Sequence, residues 1–110
     1  VWKASHFNHP SGIWVRQSAD HYTWLYSLWL EMLSEYTHRY GKNHAAERMK
    51  PVFSTLPKNI PHLGWLSEPP PAMPDEYKVG NVIQSYRNYY MGDKKSFASW
   101  KNRDTPTWFI

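Results

Sequence analysis

A chain of 110 residues has room for one core and can fold without disulfides or metal, and with no cysteine it excludes both a disulfide framework and thiolate chemistry. Lys and Arg total 13 against 9 Asp and Glu, a net +4 that modestly favours polyanionic partners. Aromatic residues make up 17%, with 7 Trp and 8 Tyr, so the core is expected to be amphipathic, its rings also needing partners for N–H and O–H groups.

In chain order, Asn8-His9-Pro10 reads as a helix start with Pro10 at the first position, and Ile13, Trp14 and Gln17 then share one side of a short helix. The firmest element spans 18–41. Ser18 is placed to cap it, Asp20 lies in its first turn, Arg39 in its last, and Gly41 at its end. Tyr22, Leu25, Trp29, Met32, Leu33, Tyr36 and Tyr40 recur at three- and four-residue steps, an apolar stripe that calls for other helices to cover it and reads as scaffold. The most apolar window, 23–33, is interrupted by Ser27 and Glu31 and is far shorter than the roughly 20 residues a bilayer requires, so no membrane association is expected.

Residues 43–55 read as a helix that Pro51 breaks or kinks, leaving one helix or two short ones. From 56 to 75, six prolines forbid regular helix, while Ile60, Leu63, Trp65, Leu66 and Met73 make the stretch too apolar for a free linker. It is expected to be a strap packed across the helices. Asn81 caps a helix carrying Val82, Ile83, Tyr86, Tyr89 and Tyr90 and ending at Gly92; Asp93 then caps a further turn or two through Phe97 and Trp100. Thr105-Pro106 repeats the cap-plus-proline signature near the end. The fold class expected is all-α, one compact multi-helix domain over 1–110 with a Pro-rich strap.

Candidate chemistry is sparse. Glu31, Glu35 and His38 share a helix face, and Glu-x-x-His is half of a di-iron ligand set, but no second copy occurs; Arg39 and Lys42 read as counter-charges on a solvated face. His6 and His9 flank Asn8 without a carboxylate before Asp20, which suits helix capping better than zinc. No G-x-S-x-G elbow places a nucleophile, and the five glycines are isolated, so no phosphate-cradling loop exists. No metal or cofactor is expected.

The most informative constellation interleaves Arg87, Lys94, Lys95, Lys101 and Arg103 with Tyr86, Tyr89, Tyr90, Phe97, Trp100 and Trp108. Rings can stack on exposed bases while cations meet phosphates. A second basic cluster, Arg39, Lys42, His44, Arg48 and Lys50, straddles the end of the long helix. The nucleic-acid contacts expected are Arg16, Arg39, Lys42, Arg87, Lys101 and Arg103 for phosphates, with Trp14 and Trp108 as stacking rings. The alternative is a protein-interaction or assembly module, since Trp, Tyr and Arg dominate interface energetics.

His9-Pro10-Ser11-Gly12-Ile13-Trp14-Val15-Arg16, Glu35-Tyr36-Thr37-His38-Arg39-Tyr40-Gly41-Lys42, Pro57-Lys58-Asn59-Ile60-Pro61, Met73-Pro74-Asp75, Tyr86-Arg87-Asn88-Tyr89-Tyr90 and Trp100-Lys101-Asn102-Arg103 together resemble a family of small proteins encoded by tailed phages of marine bacteria. The resemblance covers nearly the whole chain. It implies a further N-terminal segment with a Cys-Asp-Lys-His run upstream of Val1, and a place in the host-cell cytoplasm. The family has no established activity to carry over. In general character, including a Trp-rich end near Trp108 and Phe109, the chain is also similar to the phage pyrimidine-dimer DNA glycosylases, which implies a role in DNA repair or modification. Their catalytic amine and Glu lie near the N-terminus, so no catalytic residue is transferred.

Overall fold

Proline opens two of the helices, and a left-handed glycine closes the longest. In the computed structural model, which describes residues 5–109, the regular elements are all helical: α1 (Pro10–Arg16), α2 (Ala19–Tyr40), α3 (Lys50–Phe53) and α4 (Val82–Met91), with 3-10 segments at Ala45–Met49 and Asp75–Tyr77. The fold is all-α, as expected. The chain divides into two compact units, 1–67 and 68–110.

In the first unit, Pro10 opens α1 and the His9 Nδ1 accepts from the Ser11 N–H at 3.1 Å, the capping role its position implied. Two residues past the end of α1 Ser18 caps α2, its hydroxyl accepting from the Asp20 N–H, and α2 runs without a break to Gly41 at φ 67. The short Gln17-Ser18 connection folds α1 back onto α2. The 43–55 stretch divides where Pro51 demands: a 3-10 segment capped by His44, whose Nδ1 accepts from the Ala46 N–H at 3.0 Å, then α3 with Pro51 in its first turn.

The strap lies across the start of α2. The Pro61 carbonyl accepts from the Ala19 N–H at 2.8 Å, one of the amides a helix start leaves unpaired. The Ser67 carbonyl accepts from the Trp14 indole N–H at 3.0 Å, and the Leu66 N–H donates to His21 Nε2 at 3.1 Å. Gly64 takes φ 80 between these anchors, a left-handed turn that a side chain would strain.

In the second unit Asn81 caps α4 through the Gln84 N–H at 3.0 Å, and the buried Ser85 hydroxyl accepts from the Val79 N–H at 2.9 Å while donating back to the Asn81 carbonyl. The Ala72 N–H donates to the Tyr86 hydroxyl, holding the Pro-rich end to α4. The second helix expected after Asp93 does not form; 92–97 is a run of turns. Asp93 is occupied elsewhere, its carboxylate accepting from the Tyr77 hydroxyl at 2.7 Å instead of capping. Nor does Thr105-Pro106 open a helix; the Phe109 N–H closes a turn on the Pro106 carbonyl, and Ile110 lies outside the described residues.

The bond to Asp93, with burial and nearby negative charge adding to it, pushes the Tyr77 hydroxyl up to about 12, against an ordinary value near 10. Because the folded value is the higher one, this bond contributes fully below pH 10 and its contribution is lost as pH rises toward 12. Tyr77→Phe should therefore flatten the alkaline limb of a stability profile followed by circular dichroism between pH 9 and about 12; an unchanged limb would mean that Asp93 does not hold this proton.

Candidate functional site

The apolar stripe of α2 is covered far less than its composition requires. Of its seven members only Leu33 is buried; Leu25 is 37%, Tyr40 50% and Met32 60% exposed. The expectation that neighbouring helices enclose this stripe is corrected, because α1 is two turns long and α3 barely one, so both reach only its first half.

Part of the covering comes from Phe53, while Tyr36 packs against His44 at 4.8 Å farther along. The Phe53 ring meets Trp29 edge-on at 5.4 Å, and the Phe53 carbonyl accepts from the Tyr22 hydroxyl at 2.7 Å. Burial, with Tyr26 nearby, raises the Tyr22 hydroxyl above its ordinary value, which keeps the donating proton in place. Val15 from α1 and Phe53 from α3 thus become the walls of an open groove of about 320 Å³ along α2, floored by Tyr22, Leu25, Tyr26, Trp29 and Met32. No charged side chain lines it. Leu28, three residues after Leu25 and four before Met32 on the same helix, is 40% exposed.

Five stripe positions, Tyr22, Leu25, Trp29, Met32 and Tyr36, follow steps of three, four, three and four residues. A strict 3.5-residue repeat keeps one narrow line of side chains facing outward along a helix, the seam used to grip a second helix. The alternation of three and four is the signal in the sequence that sets this narrow line apart from an enclosed arc. Val15, Tyr26 and Phe53 were missed as groove residues, since only the folded chain brings them to α2.

The residues expected to meet nucleic acid are distributed otherwise. Trp14 is 5% exposed, stacked on His21 at 4.1 Å and met edge-on by Trp24 and Trp65, so its expected role as a stacking ring is corrected: no base can reach its face. The Arg16 guanidinium donates to the Phe7 carbonyl at 2.9 Å and lies over the Phe7 ring. Arg39 pairs with Glu35 at 2.7 Å, on the face read as solvated, and Lys42 is exposed just past the helix.

In the second unit Arg87 lies over the half-buried Trp108, whose ring also packs against Tyr90, Trp100 and Phe109. Lys101 and Arg103 are exposed in the turns before it, and Lys94 rests over Tyr89 and Phe97. The rings of this third therefore pack mainly on one another. The charge excess sits elsewhere: residues 1–67 hold seven Lys and Arg against four Asp and Glu, and 68–110 hold six against five.

Among the described residues no three His, Asp or Glu side chains gather as metal ligands, and no helix is long and apolar enough to cross a membrane. Comparison of the chain with protein-family models, with curated proteins and with solved structures finds no match.

Proposed function

We propose that this chain is a protein-interaction module whose working surface is the open groove and seam of α2. The observation that carries this is the exposure of Leu25, Leu28 and Met32 in a row on the longest helix, beside a groove with no charged lining. Leaving such a row in water is unfavourable by about 25 cal/mol for each Å² of apolar surface, so its retention points to an occupant. Groove aromatics flanked by a Met match the composition of protein-binding surfaces.

A second reading, contact of the basic side chains with DNA, is favoured by the charge excess of residues 1–67 and by exposed Lys42. It uses different atoms, and one experiment separates the two. At about 0.1 µM protein, where most moderate associations are dissociated, 8-anilinonaphthalene-1-sulfonate should gain fluorescence on the unsubstituted chain. Met32→Glu should remove most of that gain with helicity by circular dichroism unchanged. A short DNA duplex added at 50 mM salt should leave the dye signal as it was. Absence of any gain removes the groove as a binding surface; DNA binding that weakens steeply toward 200 mM salt would support the second reading instead.

A further inference from the structure

We infer that His21 is a proton-operated latch, a neutral ring that holds the strap against α2 and releases it when the surroundings turn mildly acidic. It uses none of the groove residues and stands whether or not the groove has a partner. His21 is fully buried, and both of its nitrogens are spent on main chain: Nδ1–H donates to the Trp14 carbonyl at 2.7 Å, and Nε2 accepts from the Leu66 N–H at 3.1 Å. A carbonyl can only accept and an amide N–H can only donate, so this arrangement fits one tautomer alone. A second proton has only Nε2 to enter, where it turns an acceptor into a donor aimed at another donor and leaves a charge buried. The proton and the Leu66 bond therefore exclude each other.

What faces the ring decides which contact yields. From α1 it is the Trp14 indole, stacked at 4.1 Å; from the strap it is Trp65, edge-on at 5.2 Å. An aromatic face tolerates a cation, so the α1 side does not resist the proton while the strap side does. The titratable groups on these elements make no bond to the ring. On α1 the Arg16 guanidinium is taken by the Phe7 carbonyl, and on the strap Lys58 and His62 are exposed. On α2 Asp20 is exposed with its carboxylate near Gly64, and the Tyr22 hydroxyl is bound to the Phe53 carbonyl. His9 and His44 also accept a backbone N–H through Nδ1, but both are exposed at the caps of short segments, where water can replace the ring and acid frays only their own turns.

The strap is arranged to open from the Leu66 end. Pro61 stays tied to the Ala19 N–H, and Gly64 turns at φ 80 between the two anchors. Loss of the Leu66 bond thus frees the stretch after Pro61 and wets Trp65 and the indole of Trp14, while the long helix keeps its own hydrogen bonds.

Hydrogen exchange of the Leu66 amide, expressed as protection relative to the free peptide rate at each pH, reads the latch directly. One proton taken up on opening, by an imidazole that in water titrates near 6.5, lowers that protection by about 30-fold between pH 7.5 and 5.0. Amides in the middle of α2 should keep theirs, and ring nitrogen shifts should show Nε2 of His21 unprotonated while the strap is closed. His21→Gln, whose amide oxygen can accept the Leu66 N–H without titrating, should abolish the pH response; His62→Gln should leave it intact. Leu66 protection that is flat with pH overturns the latch, as does a fall shared equally by all of α2, or a protonated Nε2 with Leu66 still protected. Should His21→Gln not fold, His62→Gln decides: a response lost with His62 assigns the proton to that exposed ring and overturns the latch, and a response retained upholds it.

Discussion

Trp14→Ala should cost the first unit about 3 to 5 kcal/mol, enough to unfold much of it at room temperature, measured by urea denaturation followed by circular dichroism at 222 nm. Trp14 is the largest side chain in the small set that is buried, and it is the point where α1, α2 and the strap meet. Its face lies flat against His21, 7° from parallel; its edges meet Trp24 and Trp65; its N–H ties down the Ser67 carbonyl. Because several rings and the strap lean on this one indole, the loss should sit near the upper end of large-to-small costs. Trp14→Phe, which keeps a ring but not the donor, should recover more than half of it. A loss under 1 kcal/mol for the alanine variant would show that the strap is held by its other anchors.

The second large effect is expected at His21, which is fully buried on α2. Its Nδ1 lies 2.7 Å from the Trp14 carbonyl and its Nε2 accepts the Leu66 N–H, so the ring must be neutral with its proton on Nδ1. One side chain thereby joins α1, α2 and the strap through both of its nitrogens. His21→Phe fills nearly the same space yet leaves the Leu66 N–H and the Trp14 carbonyl unpaired, at about 1 to 3 kcal/mol for each group. The variant should be less stable by about 3 kcal/mol in the same urea experiment, and its strap should be cut by protease at concentrations that leave the parent intact. Equal stability would assign the ring a purely space-filling role.

Helix limits were legible wherever a local cue sufficed. Ser18 and Gly41 bracket α2, Pro10 opens α1, and Asn81 with Gly92 brackets α4, because capping, and at Gly41 the left-handed turn, are decided within four residues of themselves. The strap was legible as a strap from its mixture of proline and large apolar residues, and it supplies three hydrogen bonds to α1 and α2. What could not be read were the partners chosen at a distance. Nothing near Asp93 says that Tyr77 takes its carboxylate, and nothing near His21 says that residues forty-five positions later will meet its ring. The exposure of the α2 seam was hidden for the same reason: a stripe announces that it needs covering, while the length of α1 and α3 decides whether the chain can do so.

The strap's attachment also has a kinetic side. α1 and α2 are joined by two residues and can meet within microseconds of either helix forming, whereas the bonds from Leu66 and Ser67 close loops of 45 and 53 residues. Loop closure of that length must precede any gain from the contacts, so the strap is expected to dock after α1 and α2 have met. Opening of the strap would free Trp14, His21 and Trp65 together, giving the first unit a single breathing motion in which its aromatic centre is wetted while the long helix persists.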